Sequence, residues 1–270
     1  MKKILTIVLA LSALLGLTSC VSNDLKPTLA AKNGTISAQI TQKYAKELEL
    51  DVEYYKDSPL MYQAVMNGTN AACYEDRNVI IWAIRNDGLA LKTVGEIENP
   101  SEYSLAVKKG TNSDLLAMFN AGLANIKASG EYDAILAKYG FDDTNFKDDS
   151  IKRVESGITP EKKYIIYSDS AFAPFEFLDA ETKKYIGIDL DLIAAIAKDQ
   201  GFEYEIHNYG FDEAVSAVKS GKADAVIAGM SADEKRKQDF DFSDGYFEDG
   251  QILVVPIGSD IESIYDLKQK

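Results

Sequence analysis

Ala64-Val65-Met66-Asn67-Gly68-Thr69-Asn70-Ala71-Ala72 and Ala217-Val218-Lys219-Ser220-Gly221-Lys222-Ala223-Asp224-Ala225 run in parallel. Each reads as the end of a helix, a glycine stop and the start of a buried strand. Two lobes built on one plan would show this echo, and chance similarity between two strand-helix units is the alternative.

Outward from the first copy, β-like runs alternate with amphipathic helices. Residues 28–32 read as a strand and 37–48 as a helix with Ile40, Tyr44 and Leu48 on one face. Residues 52–55 form a strand, and Ser58-Pro59 offers an N-cap followed by a proline suited to the first helical position. The strand 71–74 follows, with Asp76 placed to cap a helix carrying Trp82 and Ile84. From 113 to 139 the pattern is helical, with Leu115, Phe119, Leu123 and Ile126 in one stripe; Gly130 divides it and Gly140 ends it. Residues 141–160 are polar and lack a periodic apolar face, which marks a linker. Around the second copy the alternation resumes: strands at 164–167, 202–206, 225–228 and 252–255, helices at 188–198 and 211–220. Ser259 and Glu262 form a capping box for a last short helix. The fold class is α/β, a mixed sheet with flanking helices in each of two lobes.

The N-terminus bears on the compartment. Lys2 and Lys3 precede an apolar run at residues 4–17, shorter than the about 20 residues that span a bilayer. With small residues at its end this describes a secretory signal. Leu17-Thr18-Ser19-Cys20 resembles the bacterial lipobox, which implies lipidation of Cys20 and an anchor to the membrane. Only Cys73 then remains, so no disulfide framework exists and stability must come from a core. Apolar residues make up 46% of the chain, and its formal charge is −14. Such an excess of carboxylates repels phosphate backbones and excludes nucleic acid as a natural partner.

Ser168-Asp169-Ser170-Ala171-Phe172-Ala173-Pro174-Phe175-Glu176-Phe177 follows the strand at 164–167, where ligands of open α/β sheets collect. Read alone, it is equally a solvated aspartate with core phenylalanines. The stretch from Asp169 to Phe177, with Gly187-Ile188-Asp189-Leu190-Asp191-Leu192, Asp241-Phe242-Ser243-Asp244 and Tyr246, resembles the first half of the family 3 solute-binding proteins that feed polar amino-acid ABC importers, glutamine-binding proteins above all. Residues 25–140, from Lys32-Asn33-Gly34-Thr35 to Gly130-Glu131-Tyr132-Asp133 and Lys138-Tyr139-Gly140, look like the second half. The halves stand in swapped order, as in a circular permutation. Half-modules of two tandem domains and a dimer exchanging halves are the rival explanations.

The resemblance implies a two-lobed, periplasmic-binding-protein-like (type II) clamshell, circularly permuted. Its divisions are a signal peptide at 1–19, a lipid-anchored tether at 20–27, lobe 2 at 28–102, and a return strand with helices packing on lobe 1 at 103–140. A linker at 141–160 joins the ancestral termini, lobe 1 spans 161–255, and a crossover to lobe 2 spans 256–270. Hinges are expected at 103–107 and 251–255. Carried over residue by residue, the resemblance makes Arg236 the fork for an α-carboxylate, with Ala228, Gly229 and Ser231 beside it. Asp76 would take the α-ammonium, Phe172 and Phe211 would enclose the side chain, and Asp169 would meet its polar end. Lys32 and Thr35 would lie in the contact loop of lobe 2. Glu75 departs from a histidine found in glutamine binders, and Ile36 from a common small residue. The implied ligand is a free amino acid, glutamine first. The implied partner is an ABC permease, and the expected state is a monomer, with no cofactor, on the extracellular face of the membrane (periplasmic in a Gram-negative source). A clamshell enzyme such as a dehydratase and a sensor without transport are the competing classes. Against catalysis, His207 is the lone histidine, expected on the polar side of its strand, and no metal spacing, phosphate loop or nucleophile elbow is present.

Overall fold

A computed structural model describes residues 26–142, 146–148, 150 and 152–269. Leu29, Ala30 and Ala31 are buried in β1 (Thr28–Lys32), as suits an apolar run covered on both faces. Strand β1 pairs in parallel with β2 (Asp51–Tyr55) and β3 (Ala72–Asp76). The sheet is completed by two antiparallel members and runs β2-β1-β3-β13-β4, with β4 at Leu91–Tyr103 and β13 at Phe247–Pro256. Helices α1 (Ile36–Leu48), α2 (Ser58–Met66) and α3 (Arg77–Asn86) pack on it. This is lobe 2.

Lobe 1 repeats the plan. Its sheet runs β10-β6-β11-β5-β12, from β10 (Tyr204–Tyr209), β6 (Tyr164–Asp169), β11 (Ala225–Val226), β5 (Ala106–Lys108) and β12 (Phe240–Phe242). Here β6 is parallel to β10 and β11, while β5 is antiparallel to β11 and β12. Strands β7 (Ala171–Phe172), β8 (Glu176–Leu178) and β9 (Tyr185–Ile186) form a small separate sheet. Helix α6 (Ile188–Gln200) buries Leu192, Ile193 and Ile196 against Leu115, Phe119 and Leu123 of α4 (Ser113–Ser129), with α5 (Glu131–Lys138) alongside. The other face carries α7 (Phe211–Ser220). The echo in sequence is thus an echo in space: α2 leads to β3 and α7 to β11, and both strands stand third in their sheets. Gly68 and Gly221 turn the chain there with φ near +79° and +78°.

Several boundaries differ from the sequence-based expectation. Strand β13 was expected to close lobe 1 at residue 255, yet its whole length pairs with β3 and β4 of lobe 2. An apolar strand fits either sheet by pattern alone, and only the pairing decides. Residues 251–255 are therefore sheet interior rather than hinge, and the chain crosses at 103–105 and 243–246. Beyond β13, Ile261, Ile264 and Leu267 pack with Leu29 and Tyr44, so 256–269 is part of lobe 2's core. Its last turn is a 3-10 helix, Ile264–Gln269, with the amides of Glu262 and Ser263 held by Asp266 rather than a Ser259–Glu262 box. Asp57, not Ser58, caps α2, accepting from Leu60 N at 3.0 Å. Cys20, the residues before 26 and Lys270 lie outside the described residues.

The described part of 141–160 contains no helix or strand. Asn125 brackets Val154, donating to its carbonyl at 2.8 Å and accepting from its amide at 2.7 Å, while Gln200 accepts from Ser156 N at 3.2 Å. The connector is thereby laid along α4 and α6 by side-chain amides.

Candidate functional site

Both lobes present the carboxyl ends of their parallel strands to a shared cleft. Lys32 ends β1, Asp76 ends β3 and Asp169 ends β6. A small cavity lies between the lobes, lined by Lys32, Thr35, Asp76, Phe172, Phe211, Ala228, Gly229, Ser231 and Arg236 among the sequence-derived candidates. Asp169 joins them through Lys32, whose Nζ sits 2.6 Å from Asp169 Oδ2, each side chain 2% exposed. Nine candidates from five separated stretches of chain therefore meet at one place, with the tenth bonded to it.

Arg236 lies in a 3-10 turn, Arg236–Gln238, whose basic neighbours Lys235 and Lys237 face outward while its own guanidinium turns in. Asp233 accepts from Arg236 N at 2.7 Å and fixes the start of that turn. The fork donates to Ser231 O at 3.0 Å and, across the cleft, to Gly34 O at 3.1 Å, and it covers Phe211 at 5.4 Å. Burial pulls its pKa below the usual arginine value, and Asp233 and Asp76 oppose that pull.

Asp76 occupies the N-cap position of α3 but makes no cap bond. Its Oδ1 accepts instead from Tyr103 OH at 2.6 Å and Gln251 Nε2 at 2.7 Å. Burial, then the nearby Asp249 and Glu75, holds its carboxyl well above the usual range. Glu75, where the sequence departs from a histidine, accepts from Ser58 Oγ at 2.9 Å and Tyr62 OH at 2.8 Å.

Phe172 and Phe211 wall the cavity, and Lys32 Nζ lies 4.9 Å and 5.9 Å from their ring centres. Although burial alone would lower the Lys32 pKa, Asp169 and Glu75 carry it above the ordinary lysine value. Thr35 caps α1, accepting from Ala38 N at 3.1 Å. Gly229 holds φ +52°, and a Cβ there would stand 2.3 Å from Phe172 Cε1. Only glycine lets that ring approach the backbone so closely.

Two lining residues escaped the sequence reading. Ile36, flagged as a departure, opens α1 at the cavity, and Gln251 reaches it from β13. A lone polar residue at the head of the apolar run Ile252-Leu253-Val254-Val255 was the available signal. His207 lies apart on β10, 3.0 Å from Glu205, with its ring stacked on Tyr209 and tilted against Tyr167.

Residues 164–266 match the model of the bacterial extracellular solute-binding proteins, family 3, the family that the motifs resemble. The chain is 41% identical over 110 residues to a probable histidine-binding protein of Neisseria gonorrhoeae, covering 41% of each chain. It is 35% identical over 116 residues to the arginine-binding extracellular protein ArtP of Bacillus subtilis, covering 43% of this chain and 44% of that one. It is also 35% identical over 99 residues to a glutamine-binding protein of Geobacillus stearothermophilus, covering 35% and 37%. The chain thus spans less than half the length of these relatives.

Proposed function

We propose that this chain is the substrate-binding lipoprotein of an amino-acid ABC importer, held at the extracellular face through Cys20, and that it closes its lobes on a polar amino acid, glutamine first, for delivery to the permease. The observation that carries the reading is that Arg236 of lobe 1 and Asp76 of lobe 2 line one cavity with two phenylalanines beside them. A zwitterion needs a cation at one end and an anion at the other, since an unpaired buried charge costs several kcal/mol, on the order of 3–5. Groups split between lobes are complete only on closure, so the ligand favours the closed form by its differential affinity for it.

The halves are a circular permutation closed within one chain. In support, each sheet takes one antiparallel strand from a segment continuous with the other lobe, and the connector packs along α4 and α6.

Histidine, arginine and glutamine appear among the names of the relatives. Lys32 favours the neutral amide. Its ammonium already faces both rings and Asp169, so a cationic side chain would meet like charge, whereas an amide offers a donor to Asp169 and an acceptor to Lys32. Calorimetry with the twenty amino acids tests this. We expect micromolar or tighter binding of glutamine and at least tenfold weaker binding of arginine. Preference for arginine would refute the assignment of Lys32, and no binding by any amino acid would refute the function.

A further inference from the structure

Asp76 does not stand alone. Asp249 on β13 is also buried, and the Tyr103 hydroxyl lies between the two carboxyls, 2.6 Å from Asp76 Oδ1 and 3.3 Å from Asp249 Oδ2. A phenol has one hydrogen to donate. Two ionised carboxylates would therefore face each other across a single donor in a water-poor interior, which like charges at close range disfavour. Asp249 takes further bonds from Asn78 N at 3.1 Å and Gly250 N at 2.8 Å. Gln251 gives its amide N–H to Asp76, a polarity that the carboxylate dictates, so its Oε1 points elsewhere. That oxygen is buried on a residue 1% exposed, lines the cavity, and has no hydrogen-bond partner among the described residues. A buried acceptor left bare costs stability, which a donor in the cavity would restore.

We propose that Asp76 and Asp249 share one proton until the ligand's ammonium arrives, and that Asp76 and Gln251 Oε1 then receive that ammonium, so that capture releases a proton. This rests on the function proposed above. One positive charge enters the cavity and one proton leaves to the buffer, so the charge around Asp76 is conserved. Tyr103 ends β4 at the crossover and Asp249 opens β13 after the other, so the proton sits between both connections of the lobes. The other charged groups facing the pair are Glu75 on β3, Arg77 at the start of α3, Arg236 across the cleft and Lys32 beside Glu75. The direction of titration agrees: burial pushes Asp249 up to about 6, and burial with Asp249 and Glu75 raises Asp76 well above its usual range.

The test is glutamine calorimetry on the full chain at about pH 6 and pH 8 in buffers of different ionisation heat, where glutamine stays a zwitterion. We expect a fraction of a proton released at the lower pH, less at the higher, and affinity falling by up to about tenfold per pH unit on acidification. Asp249→Asn should abolish the release and flatten the pH profile. Gln251→Leu should weaken binding while leaving the pH slope. A pH-independent affinity, or a slope unchanged in Asp249→Asn, overturns the proposal. Carbon-13 titration of aspartate carboxyls in the ligand-free wild type separates the two readings and needs no variant to fold. Asp76 or Asp249, assigned apart from the buried Asp189, titrating above the ordinary aspartate range supports the shared proton even if no amino acid binds, and its absence at both refutes it even if glutamine does.

Discussion

The two lobes share a strand order but not a role. Lobe 1 holds its half of the cavity with packing: Phe172 lies on Gly229, Phe211 lies under Arg236, the guanidinium donates to Ser231 O, and the Arg236 backbone amide donates to Asp233. Lobe 2 holds its half with charge: Lys32, Glu75, Asp76 and Asp249 are buried together, with Tyr62, Tyr103 and Gln251 as donors. One architecture thus supplies an aromatic jaw on one side and a cluster of buried charged groups on the other. The jaw determines shape. On the proposal above, Asp76 and Asp249 set the pH at which the cleft accepts an ammonium.

The largest expected effect breaks the jaw's single cation. On the proposed binding mode, Arg236→Ala should weaken ligand binding by about a thousandfold or more, because the ligand's carboxylate would lose its bidentate partner. Circular dichroism should show the fold intact, since among the described residues the guanidinium's hydrogen bonds go to two loop carbonyls, Ser231 O and Gly34 O. Retained affinity would move the carboxylate clamp elsewhere. Next comes the pair that joins the lobes. Asp169→Asn leaves the Lys32 ammonium buried without its counter-charge, at a cost of up to about 3–5 kcal/mol in the closed form. Small-angle scattering should report a shift toward an open cleft, and the double variant with Lys32→Met should recover closure. A smaller effect is expected for Gly229→Ala, which forces the Phe172 ring away and strains a left-handed backbone, lowering stability by about 1–3 kcal/mol in urea unfolding.

The smallest effect sharpens the contrast in charge. Burial holds Asp189 and Asp249 at about 6 against an ordinary value of 3.8, and Glu176 and Asp76 are raised well beyond theirs. A carboxyl raised on folding stabilises the fold fully below its unfolded pKa, and that contribution is lost as pH rises through the folded value. For Asp189 and Asp249 the window runs from about 4 to about 6. Ligand-free protein should therefore melt a few degrees lower at pH 7 than at pH 5, and a rise with pH would contradict the assigned directions.

Much of this was legible in the sequence because its signals were local. The apolar runs of β1 and β6, the Gly130 break between α4 and α5, and the echo around Gly68 and Gly221 each depend on a few adjacent residues. The candidate residues of the cavity came from motif resemblance, and the structure gathers them. What escaped depended on pairing at long range. Strand β4 contains Gly95 and Asn99-Pro100, residue types that disfavour a strand interior, and it is held as a strand by β13. Asp76 reads as a helix cap by position, but Tyr103 and Gln251, remote in sequence, claim its oxygen. Partners of a buried carboxyl are a property of the assembled lobes, and no window of sequence contains them.

Native mass spectrometry of the chain with glutamine tests the central claim most directly, that one chain closes one amino-acid site from its two lobes. The account predicts a single chain carrying a single glutamine. A dimer that binds only as a dimer, or a monomer that carries none of the twenty amino acids, would contradict it.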